Sequence, residues 1–121
     1  MTREELLKLA DRCEQADGPD REIDHGIVSA VKAGMRHPWF VTKPEFTRSI
    51  DAAMQLVPEG VGLHFDRYWI ASVEDAVWSA HITTGGVPEN PRRVFEVFDC
   101  MSAALALCSA ALRAIADMKE G

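Results

Sequence analysis

The chain has 121 residues, 47% of them apolar and 26% charged, with a net charge of −6. That length fits a single domain (1–121) around one core, and that composition excludes a chain too polar to fold. The excess of acids, 19 Asp and Glu against 13 Lys and Arg, argues against a nucleic-acid surface, which is built on basic charge.

Thr2-Arg3-Glu4-Glu5 has the spacing of a capping box and starts a first helix. Leu6, Leu9, Ala10 and Cys13 form its apolar stripe, and Asp17-Gly18-Pro19 stops it. A second helix is predicted from about Pro19 to Ala33, with Asp20 and Glu22 complementing its positive end. Ile23, Ile27, Ala30 and Val31 make its buried stripe, while Arg21, Asp24, His25 and Lys32 lie toward water. Pro38 breaks the chain into a loop carrying Trp39 and Phe40. A third helix, starting between Pro44 and Ser49, places Phe46, Ile50, Ala53 and Val57 on one face before Pro58-Glu59-Gly60 ends it.

From Val61 the period changes to two. Leu63, Phe65 and Arg67 alternate with His64, Asp66 and Tyr68, and in a second run Ala76, Trp78, Ala80 and Ile82 alternate with Val77, Ser79, His81 and Thr83. A turn at Ser72-Val73 joins them into an antiparallel hairpin, which pairs His64 with His81 and Asp66 with Ser79. Thr83 to Pro91, with two prolines and two adjacent glycines, reads as a loop. Arg92 to Phe98 alternates as a third strand or an early helix start. Asp99 is positioned to cap a last, alanine-rich helix whose stripe is Ala104, Leu105, Cys108, Ala111, Leu112 and Ile115.

The fold class that follows is α+β: a small antiparallel sheet covered by helices, in an α/β/α sandwich-like arrangement. Its predicted core comprises Leu9, Ile23, Ile27, Ile50, Val57, Leu63, Phe65, Trp78, Ile82, Leu105, Cys108 and Leu112. Cys13, Cys100 and Cys108 are odd in number and sit on helices or at their edges. They read as reduced core thiols, and with no N-terminal signal-type run the expected compartment is the cytoplasm. The longest apolar stretch, Met101 to Leu107, is too short to cross a bilayer, so no membrane role is expected.

Three groups of segments carry a resemblance. They are Leu6-Leu7-Lys8-Leu9-Ala10-Asp11-Arg12-Cys13-Glu14 with Gly18-Pro19-Asp20-Arg21-Glu22-Ile23-Asp24; Ser49-Ile50-Asp51-Ala52-Ala53 with Leu56-Val57-Pro58-Glu59-Gly60; and Ala106 to Ala114. As a set they resemble the phage ABA-sandwich family, small single-domain proteins of tailed phages and prophages. The resemblance implies a sheet between helical layers and residence in the host-cell cytoplasm. It implies no activity and carries over no functional residue.

The sequence holds no HExxH, GxSxG, P-loop or GxGxxG motif, so no catalytic residue is assigned. His64, Tyr68 and His81 share the polar face of the hairpin, and two histidines beside an acid offer a ligand contact but too few ligands for zinc. Arg92 and Arg93, following the Gly/Pro segment, offer guanidinium forks to an anion. Trp39, beside Arg36 and His37, is the candidate interaction residue, because tryptophan and arginine are enriched where partners bind. No cofactor or metal is expected. The function expected is stoichiometric binding by an accessory protein, either of a small nucleotide-like anion such as a signal of host defence or of a host or phage protein. Apolar surface left by so small a sheet adds an expectation of a homo-oligomer.

Overall fold

The computed structural model describes residues 3–31, 45–57, 61–70, 75–85 and 92–120. Among them are four helices and three strands, in the order α1 (Arg3–Gln15), α2 (Arg21–Val31), α3 (Ile50–Met54), β1 (Gly62–Ile70), β2 (Asp75–Thr84), β3 (Arg93–Cys100) and α4 (Ala103–Glu120). The strands form one antiparallel sheet in the order β1-β2-β3, so the fold is α+β.

Strict alternation sets the sheet's two faces. Ala80, Ile82, Val97 and Cys100 are buried on one face, with Leu63, Phe65, Trp78 and Phe95 packed at their margin. α4 lies across this face against β2 and β3, and α1 runs beside α4 and touches β3. Residues 103–112 of α4 are buried all round, the alanines letting its backbone approach closely and Leu105, Leu107, Cys108 and Leu112 supplying the larger side chains. Each large side chain so buried contributes about 1.5–3 kcal/mol. The hairpin register is the expected one, with His64 opposite His81 and Asp66 opposite Ser79. Cys13, Cys100 and Cys108 are all free and buried.

Helix ends show local chemistry overruling the sequence reading at several points. α2 starts later than Pro19, because the Asp20 carboxylate accepts the backbone N–H groups of Glu22 (2.8 Å) and Ile23 (3.1 Å) and so acts as its cap. Asp24, expected toward water, is only 7% exposed. It accepts hydrogen bonds from the Thr47 backbone N–H and hydroxyl, both at 2.9 Å, and thereby ties the turn at 45–48 to α2. α3 is a short helix capped by Ser49, whose side chain accepts from the Ala52 N–H at 3.2 Å. Phe46 and Ala53 are buried as expected, but Ile50 is 44% exposed, because the helix begins at Ile50 rather than before it and the stripe turns away. Asp99 does not cap the last helix: it belongs to β3, and Ser102 takes that role by accepting from the Leu105 N–H at 3.1 Å.

One network joins the two longest helices. Arg113 on α4 donates to Glu14 and Asp11 on α1, and the Ser109 hydroxyl donates to Glu14 at 2.6 Å. Burial by itself would lower the Arg113 guanidinium, but the hydrogen bonds it donates to Glu14 and Asp11 outweigh that and hold the group above its ordinary value.

Candidate functional site

The sheet face away from α4 carries the polar residues. Across it run His64, His81 and Glu96, one from each strand and directly opposite one another. The two imidazoles meet edge to face at 5.7 Å, and His81 meets the Phe98 ring in the same way at 5.4 Å. His64 Nε2 lies 3.2 Å from the Asp66 carboxylate, and His81 Nδ1 lies 3.6 Å from Glu96. His64 and Asp66 are well exposed, whereas His81 is partly enclosed.

A bulge shapes the next row. Trp78 pairs with Cys100 but Ala80 pairs with Val97, so β3 spends one extra residue opposite Ser79. The chain absorbs it at Asp99, whose φ of 59° lies in the left-handed region that Asp tolerates better than most residues. The bulge removes Asp99 from the regular alternation and brings it to Tyr68. The Tyr68 hydroxyl donates to the Asp99 carboxylate and accepts the Asp99 backbone N–H at 2.8 Å. This pair joins the two outer strands across β2, where Val77 and Ser79 are buried. Burial, then the hydrogen bond to Asp99, raises the Tyr68 phenol above its ordinary value.

Between these side chains lies a hollow of about 690 Å³ lined by Asp66, Arg67, Tyr68, Ser79, His81, Phe98 and Asp99. Arg67 brings one positive charge to this lining, with its guanidinium 5.9 Å from the ring of Trp78, which faces the core side. Of the residues read from sequence, the structure thus brings together His64, Tyr68 and His81. Arg93 is placed elsewhere: it shares the parity of Phe95 and Val97, faces α4 and pairs with Asp117. Arg92 is exposed just before β3, four residues from Glu96, or roughly 13 Å at strand rise. Trp39 lies outside the described residues.

Sequence reasoning missed Phe98, Glu96 and Asp99 as site residues. The alternation of 92–98 held a signal for the first two, since Glu96 and Phe98 fall on the same face as Arg92, but nothing in the sequence marked the bulge that delivers Asp99. Among the described residues no group of His, Cys, Asp and Glu is arranged to hold a metal ion, and no helix is long and apolar enough to cross a membrane. Comparisons with family models, with curated proteins and with solved structures gave no match.

Proposed function

We propose that the protein acts by stoichiometric binding, as a small accessory protein of the phage type that its sequence resembles, and that the polar sheet face docks a basic segment of a partner protein. The observation that carries this reading is the charge of the face. Asp66 and Asp99 line the hollow with the half-exposed Phe98, Glu96 stands two residues before Phe98 on β3, and these three carboxylates, partnered among the described residues by His64, His81 and Tyr68, outnumber Arg67, the one permanent cation of the lining. Carboxylates in such a setting attract Lys and Arg side chains and disfavour a phosphate. The ring of Phe98 supplies an apolar contact of the kind that anchors an interface.

The small-anion reading expected from Arg92 and Arg93 loses support here, because Arg93 is committed to Asp117 on the opposite side of the sheet. One experiment separates the two readings. Purified protein is titrated with a library of short peptides containing Lys or Arg next to an aromatic or aliphatic residue, and in parallel melted in the presence of mono-, di- and cyclic nucleotides. Peptide binding that weakens with salt and is lost in Glu96→Lys and Phe98→Ser supports the proposal. A nucleotide that raises the melting temperature, with no peptide bound, refutes it: a ligand at a hundred times its Kd stabilises a fold by about 2.7 kcal/mol.

A further inference from the structure

The sheet has two edges, and they differ. β3 is interrupted by the bulge, carries a residue at positive φ and has α1 against it, which are devices that discourage strand addition. Among the described residues β1 has none of them. Its 9 residues pair with β2 without a register shift, and its outer side has no strand among the described residues. Gly62, His64, Asp66, Arg67 and Trp69 along it are all exposed, Trp69 to 67%. A long, regular, open edge is a template for another strand.

We propose that the strand added is β1 of a second copy, giving a two-fold dimer with a continuous six-stranded sheet. In an antiparallel pair the dyad perpendicular to the sheet passes midway between two opposite residues, so one residue must face itself. Placing the dyad at Asp66 or Arg67 sets like charges face to face, and placing it at Tyr68 leaves much of the strand unpaired. With Phe65 on the dyad, the span from Val61 to Trp69 is paired. His64 then faces Asp66 of the other copy, twice, so that imidazoles and carboxylates alternate along the seam. Val61 lies beside exposed Trp69 of the other copy. The sequence of β1 is therefore complementary to itself in one register. This dimer does not depend on the docking reading above; it places both hollows on the same side of one sheet.

The test is the mass in solution. Sedimentation equilibrium over a concentration series should show a mass rising from 13.4 kDa toward twice that value, with a Kd on the order of micromolar, because a single strand seam is a small interface. His64→Glu places a carboxylate opposite Asp66 on both sides of the dyad and should weaken the dimer at least about tenfold, since like charges directly opposite are destabilising. The reciprocal double variant, His64→Asp with Asp66→His, restores the alternation and should return the Kd to within about threefold of the parent. Both positions are more than half exposed, so the fold should tolerate these changes, as a thermal melt of each variant checks. Amide exchange should slow with concentration within β1 alone. A mass of 13.4 kDa at several hundred micromolar, or association that survives His64→Glu, or concentration-dependent protection centred outside β1, overturns the proposal.

Discussion

Thr47→Val tests the tie between the turn at 45–48 and α2. The Thr47 hydroxyl does two things at once: it donates to the buried Asp24 carboxylate at 2.9 Å and accepts the Asp20 N–H at 2.8 Å. Valine has the same shape, and Thr47 is 1% exposed, so neither packing nor solvation compensates for the missing oxygen. A hydrogen bond to a buried charged group contributes about 1.5–3 kcal/mol, and the orphaned Asp20 N–H adds about 1 kcal/mol. The expected loss is about 3 kcal/mol, or roughly ten degrees in melting temperature for a domain of this size. Thr47→Ser is the control, because it keeps both hydrogen bonds and removes one methyl group, at about 1 kcal/mol. Urea unfolding followed by circular dichroism measures both. If Thr47→Val costs under about 0.5 kcal/mol, or if the serine variant costs as much as the valine one, the hydroxyl is not what holds the turn.

Three further predictions rest on the site and the thiols. Tyr68 is the protein's single tyrosine, so absorbance titration of the native protein reads it alone; Asp99→Asn should move its midpoint to lower pH, because the Asp99 charge opposes formation of the phenolate, and an unchanged midpoint would remove Asp99 as its partner. The neutral phenol is favoured in the fold, so its contribution to stability is complete below the ordinary value of 10.0 and fades as pH rises beyond it. Burial, then Glu14, pushes the Cys100 thiol up to about 12, while Cys108 is raised by its hydrogen bond with Cys13 and by burial. All three cysteines are buried, so they should resist a thiol reagent at pH 8 until urea opens the fold, and a fast-reacting thiol in the native protein would contradict this packing. The same shift requires stability contributed by the protonated Cys100 to be full below the ordinary value of 9.0 and to be lost as pH climbs toward about 12, which melts in alkaline buffers follow. Finally, Ile82→Ala at the fully buried centre of β2 should cost about 2–5 kcal/mol, whereas Ile50→Ala, at a site half open to water, should cost well under half of that.

Periodicity by itself determined the elements. A change from a three-to-four spacing to a strict alternation at Val61 is enough to separate helix from strand, because only one face of each element can be buried. The hairpin register followed as well, since a slip by one residue would have sent Leu63, Phe65, Ala80 and Ile82 to the polar face. His64, Tyr68 and His81 could be grouped from sequence for that reason. Tertiary structure decided what alternation does not encode. The bulge that turns Asp99 toward Tyr68 depends on how β3 meets both β2 and α4, and a strand-like run of residues carries no mark of it. Arg93 was drawn away from the candidate site by Asp117, a residue 24 positions further along the chain. Asp24 looks solvent-facing on a helical wheel, yet Thr47, remote in sequence, encloses and satisfies it. In each case the partner is distant along the chain, and only folding brings the two close enough for a hydrogen bond or an ion pair to choose between faces that the local pattern leaves equal.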